Sequence, residues 1–360
     1  WKRGCIKMTI EWLAGNRLRG TTAEKPALGL ASGSVGGWVE VGRTTFGGGG
    51  SSISVTGIAD KRYYMILNDT VQVGAGDHYL QFNGDTGSNY SGRRSANGAT
   101  DTTATSTSEF EANDQTNGSG NLGVSYWSNL ATKEKLGLGH FVSGSTAGAG
   151  TAPYRSEFAM KWANTSTAIS SYQHKANSNF SSGSEVVVLG WDPADSHTTN
   201  FWEELASVDL SGGAATNIDS GTITAKKYLW FQFYGDSITS ANSIRVTFNG
   251  DTGSNYADRS SQNGGGEDVN DPTSNMQMTI STHTTPSFIN CFAINNSANE
   301  KLVMNHSVDQ NTAGAGNAPV RVEGVHKWAN TSSQITSINF KTSGGANLGT
   351  NTKLKVWGSN

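Results

Sequence analysis

Cysteine, charge and long apolar runs are all scarce in this 360-residue chain, and each scarcity excludes something. The two cysteines, Cys5 and Cys291, are too few for a disulfide framework and show no zinc-ligand spacing. Both are therefore expected to be reduced thiols. Charged residues make up 15% and the net charge is −3, so there is no concentrated basic face for nucleic acid or an anionic membrane. No apolar run approaches the roughly 20 residues of a membrane helix. The opening Trp1-Lys2-Arg3-Gly4-Cys5-Ile6-Lys7 has no apolar core behind it and does not read as a secretory signal. Met8 is one candidate for the true start, and cleavage from a precursor is the other. Proline, with six residues, is scarce too, and Leu, Glu, Lys and Ala are too few for long amphipathic helices.

Glycine is abundant, with 45 residues, and Ser, Thr and Asn accompany it. Gly and Asn tolerate positive φ, so this is the composition of many short strands joined by turns. The strongest pattern is internal duplication. Phe82-Asn-Gly-Asp-Thr-Gly-Ser-Asn-Tyr90 recurs unchanged at Phe248 to Tyr256, a shift of 248 − 82 = 166. Thr146 to Gly150 recurs at Thr312 to Gly316, and Lys161-Trp-Ala-Asn-Thr-Ser166 at Lys327 to Ser332, with the same shift. Weaker matches pair Trp38 with Trp202, His140 with His306, and Val188-Leu-Gly190 with Val356-Trp-Gly358. The reading is an unmatched N-terminal arm at 1–34, module one at 35–192 and module two at 200–360, joined by a short polar linker. Such a period is too long for a solenoid or propeller blade, and each copy is long enough for its own core.

Period-two alternation bounded by Gly, Asn and Asp reads as strand. Module two shows it at 228–234, 243–248, 276–280, 288–294, 301–306, 320–328, 335–340 and 354–357. Module one shows it at 62–67, 78–82, 122–127, 136–142, 157–162, 168–174 and 186–189. The fold class is therefore all-β: two tandem antiparallel β-sandwich domains, jelly-roll-like with eight strands each, preceded by the short arm. The polar stretch from Ser91 to Gly120 reads as a loop excursion over one edge.

Asn-Gly is a strong turn pair, so the nine-residue repeat reads as strand end, turn and re-entry. Its Asn83, Asp85, Asn89, Asn249, Asp251 and Asn255 carry the oxygens a Ca2+ ion or a glycan would use. Against calcium, the spacing lacks the bidentate Glu and carboxylate ladder of an EF-hand, and no cofactor is otherwise implied. The acidic cluster Glu267-Asp-Val-Asn-Asp271 reads as a solvated loop or a cation site. Trp162 and Trp328 are either core anchors or an exposed aromatic glycan platform. His140 and His306 lack a catalytic motif and read as packed or hydrogen-bonded histidines. Glu134 and Glu300 lack the second, matched carboxylate a glycosidase needs. No catalytic residue is assigned. In the arm, Trp12, Leu13 and Leu18 are candidates for docking on a neighbour, with an extra strand packed on module one as the alternative.

The repeated nine-residue segment, Lys-Trp-Ala-Asn-Thr-Ser and the Val-Trp-Gly ending together resemble virion proteins of marine tailed phages. The segment Met8-Thr-Ile-Glu-Trp-Leu-Ala-Gly-Asn-Arg-Leu-Arg-Gly-Thr-Thr-Ala-Glu24 is similar to the start of such proteins. The resemblance implies a non-enzymatic virion surface protein: a capsid decoration, head fibre or tail appendage. Its partners would be other virion proteins, copies of itself and a cell-surface glycan. A carbohydrate-binding module without catalysis is the first alternative, and a glycan hydrolase the second.

Overall fold

The computed structural model describes residues 37–113, 120–192 and 200–360. The expected arm, with Cys5, Trp12, Leu13 and Leu18, and linker positions 193–199 lie outside them. Twelve strands form module one: β1 (Val39–Thr45), β2 (Gly50–Thr56), β3 (Tyr63–Val71), β4 (His78–Phe82), β5 (Tyr90–Ala96), β6 (Thr102–Thr107), β7 (Phe110–Asn113), β8 (Gly120–Ser128), β9 (Lys135–Ser143), β10 (Tyr154–Trp162), β11 (Ser171–Phe180) and β12 (Glu185–Trp191). Module two repeats them as β13 (Glu203–Asp209), β14 (Asn217–Asp219), β15 (Tyr228–Gly235), β16 (Ile244–Phe248), β17 (Tyr256–Gln262), β18 (Glu267–Thr273), β19 (Met276–Gln277), β20 (Ser287–Ile294), β21 (Lys301–Asp309), β22 (Val320–Trp328), β23 (Ile338–Thr342) and β24 (Lys353–Ser359). Among the described residues there is no helix.

In module one an eight-stranded sheet, β1-β12-β3-β8-β9-β10-β5-β6, faces a four-stranded sheet, β2-β11-β4-β7. Module two has the same order in its own strands. The subset β1-β12-β3-β8 against β2-β11-β4-β7 alternates consecutive strands between two sheets, which is the eight-stranded jelly roll. Two insertions enlarge it: β5-β6 after β4, and β9-β10 after β8. Both join one edge of the same sheet, which explains why each module has twelve strands rather than the expected eight. The stretch from Ser91 is a correction of the same kind. It holds most of β5, then β6 and β7, not a bare excursion. β6 reads Thr-Thr-Ala-Thr-Ser-Thr at an exposed sheet edge, so it carries no apolar alternation to betray it.

Each sandwich has its own core. Tyr64, Ile66, Leu80, Phe82, Trp127, Phe141, Met160, Trp162, Tyr172 and Val188 fill the first. Leu229, Phe231, Phe248, Tyr256, Val303, Trp328, Phe340 and Val356 fill the second. A third core lies between the modules, where the outer faces of the two large sheets meet. It takes Met65, Leu67, Leu122, Val124, Val142, Val187 and Leu189 from module one. From module two it takes Phe201, Trp202, Tyr228, Phe292, Ile294, Leu302, Met304, Val325 and Trp357. β9 lies over β21, β10 over β22 and β8 over β20, so equivalent strands face one another and the molecule is four layers deep. Strands buried on both faces lose alternation, which accounts for the unbroken runs Val186-Val-Val-Leu189 and Cys291-Phe-Ala-Ile294.

Candidate functional site

The repeated motifs turn out to be partners. Asn83 and Gly84 both have positive φ (51° and 62°), and the Asp85 amide bonds the Phe82 carbonyl at 2.9 Å. That is a type I′ turn, for which Asn-Gly is the favoured pair. The Asp85 carboxylate then accepts from the Gly87 amide (2.8 Å), from Asn89 (2.9 Å) and from the Trp162 indole (2.7 Å). Burial pushes this carboxyl up, but the bonds from Trp162, Asn89 and Gly87 outweigh it and hold the pKa low. Asn83 accepts from the Ser170 and Ser171 amides and donates to Ala168. Asp251, Asn255, Asn249 and Trp328 repeat the arrangement in module two. The turn is where the chain leaves the jelly roll for β5, and Trp162 is where β10 ends before the return to β11. The clamp therefore ties exit to return. It also holds 163–170 as a loop, so β11 begins at Ser171 and not at the expected 168.

This geometry decides between two pairs of alternatives. Trp162 and Trp328 are 0% and 1% exposed, so no sugar reaches them and they are core anchors. Both oxygens of Asp85 and of Asp251 are committed to protein donors, so the turn is built for closure and not for calcium or glycan. The acidic stretch from Glu267 is strand β18 rather than a loop, and Glu267 binds Arg155 of the other module.

The two modules use opposite ends of the same face. Let the end of each large sheet beside its Asp–Trp clamp be the clamp end. Module two's clamp end is covered: Tyr228, Leu302 and Met304 are 1–2% exposed. Their counterparts in module one, Tyr63, Leu136 and Leu138, are 37%, 57% and 59% exposed. At the far ends the relation reverses. Leu122 and Val142 are buried, whereas their counterparts Phe288 and Val308 are 42% and 40% exposed. Module two's clamp end thus sits on module one's far end, and module one's clamp end is bare. The bare end forms a groove of about 470 Å³ lined by Trp38, Tyr63, Tyr126, Leu136, Leu138 and Trp191. Tyr63 stacks on Trp191 with ring centroids 5.4 Å apart. None of the lining residues carries a charge.

Polar bonds ring the covered half. Glu185 accepts from Arg43 (3.0 Å), Thr45 (2.7 Å), Lys227 (3.0 Å) and Tyr228 (2.8 Å). Lys227 also pairs with Asp69 at 2.9 Å, and Asn296 donates to Asp69. Burial works against the Glu185 carboxylate, but bonds from Thr45, Lys227 and Tyr228 prevail and hold its pKa down at about 2. Lys327 donates to the Gly144 and Thr146 carbonyls, and the Gly148 amide donates to Glu300. The Thr146–Gly150 loop of module one is therefore used as a wrap, whereas its copy at 312–316 is exposed. Near the middle of the seam the His140 and His306 rings lie 4.8 Å apart. Beside them Arg155 pairs with Glu157 (2.7 Å), Glu323 (3.5 Å) and Glu267. Sequence reasoning missed this cluster, although Arg-x-Glu recurs at 155–157 and 321–323 with the duplication's own shift.

No family model matches the chain, and no curated protein matches it. Among solved structures, the mouse laminin alpha1 chain domains LG4-5 align over 91% of this chain and 92% of that chain. The identity is 9% and the TM-score 0.20, a likeness too slight to carry an argument.

Proposed function

We propose that this chain is a non-enzymatic surface protein of a tailed-phage particle and acts by assembly. The observation that carries the reading is the bare clamp end of module one. Exposed apolar patches rimmed by polar residues mark interaction sites, and here the same residues in module two are covered by another β-sandwich. The occupant that fits is a second copy of this chain, presenting the bare far end of its module two, with Phe288 and Val308, as module one presents its own far end to module two. The virion setting rests on the resemblance of the repeated motifs. The stacked Tyr63–Trp191 pair favours carbohydrate binding as a second reading. Sugar recognition, however, calls for converging polar groups, and the side chains lining the groove offer Ser128, tyrosine hydroxyls and indole N–H groups but no carboxylate or amide.

The test is sedimentation of the full chain over a concentration series, beside Leu136→Asp/Leu138→Asp, together with mass spectrometry of purified particles. Concentration-dependent assembly that the double variant abolishes, without loss of fold by circular dichroism, supports the proposal. A wild-type monomer absent from particles that binds polysaccharide overturns it in favour of the second reading.

A further inference from the structure

The geometry points to a divalent transition-metal site at the seam, held by His140 and Glu157 of module one and His306 of module two, with Glu323 as the fourth donor. His140 and Glu157 are directly opposed across β9 and β10, and His306 and Glu323 across β21 and β22. Duplication thus supplies the same His–Glu pair twice, and the seam brings the two pairs together. The ligand atoms of His140, Glu157 and His306 all lie within 4.8 Å of one another, and His140 Nε2 is 3.7 Å from Glu157 Oε1.

His140 supplies the independent observation. It is 4% exposed, and neither ring nitrogen has a hydrogen-bond partner. Buried polar groups are normally satisfied, and an orphan calls for an explanation such as a missing ion. Tetrahedral donors at about 2.0 Å from a metal stand about 3.3 Å apart, so the cluster must contract. His306 can supply the movement. The residue is exposed, and its ring lies 4.8 Å from that of His140. Glu157 is part-exposed as well. The cluster is charge-balanced, so a metal must displace arginine from both carboxylates. Glu157, Glu267 and Glu323 are matched by Arg155, Arg259 and Arg321. Arg155 keeps Glu267 if Glu157 turns to a metal, and Arg321, 59% exposed, is free to swing into water. Two imidazoles with carboxylates select Zn2+, Co2+ or Ni2+ over the hard cations Ca2+ and Mg2+.

The experiment titrates Zn2+ by calorimetry, and Co2+ by its visible spectrum, into the untagged, chelator-treated full chain. His140→Ala and His306→Ala are run in parallel, and thermal unfolding is recorded for each. The expected result is one Zn2+ per chain at micromolar affinity or tighter, with cobalt bands of a nitrogen-ligated site and a raised Tm. Each variant should lose at least tenfold in affinity. His306→Ala alters an exposed residue, so it tests the site even if His140→Ala does not fold. Substoichiometric binding by the wild type, or binding that His306→Ala leaves unchanged, overturns the proposal.

Discussion

Replacing Glu185 by Gln keeps the shape of the side chain and removes its charge from a place where four donors converge. The side chain is only 6% exposed, so solvent screens little of the loss. Folding lowers its pKa from 4.5 to about 2, and at 1.36 kcal/mol per tenfold change that is about 3 kcal/mol. Removing one partner of a buried ion pair costs a similar amount, about 3–5 kcal/mol. The pH dependence separates this account from simple loss of packing. A carboxyl whose pKa falls on folding adds stability above its unfolded value and loses it as the pH drops toward the folded one. Asp69, whose pKa burial raises, contributes in the opposite sense, so the wild-type curve alone is mixed. The difference between wild type and Glu185→Gln reports Glu185 together with the smaller change its charge makes in Asp69, which shares Lys227. It should be about 3 kcal/mol at pH 7, hold down to about pH 4.5, and shrink toward zero near pH 2. Urea unfolding at stepped pH reads it directly. A difference that stays constant across that range, or stays below about 1 kcal/mol at neutral pH, refutes the reasoning.

Asp85→Asn weakens the bond from the Trp162 indole and should cost about 1–2 kcal/mol in urea unfolding. Asp251→Asn should cost the same, and the two effects should add, because they lie in different modules with no shared partner. Gly137→Ala would place a Cβ 2.4 Å from the Trp127 ring, so overpacking of about 1–3 kcal/mol is expected. Gly150→Ala, with nothing within 4 Å and ordinary φ, should be neutral by the same assay.

The all-β sandwich pair was legible because letter-for-letter repeats and turn residues are local signals. The Asn-Gly turns read correctly for the same reason. The clamp partners were visible as separate repeated words, but their contact joins Asp85 to Trp162 across 77 positions, and no local pattern encodes that. β5 and β17 escaped notice because Tyr-Ser-Gly-Arg-Arg-Ser-Ala and Tyr-Ala-Asp-Arg-Ser-Ser-Gln are too polar for alternation to show. The third core did leave a trace. Val186–Leu189 is apolar on both faces, more than a half-solvated sheet needs. The bare groove left none, because Leu136 and Leu138 alternate just as their buried counterparts do.

The seam also records a division of labour between sister copies. β6 and β18 occupy the same outer edge in their modules, yet one reads Thr-Thr-Ala-Thr-Ser-Thr and the other Glu-Asp-Val-Asn-Asp-Pro-Thr. Only the second lies where an acid can reach across to Arg155. Position in the pair, and not the inherited fold, decides which copy has a use for new charge. The edge strand of module two carries an acid that binds the sister module, and that of module one carries none.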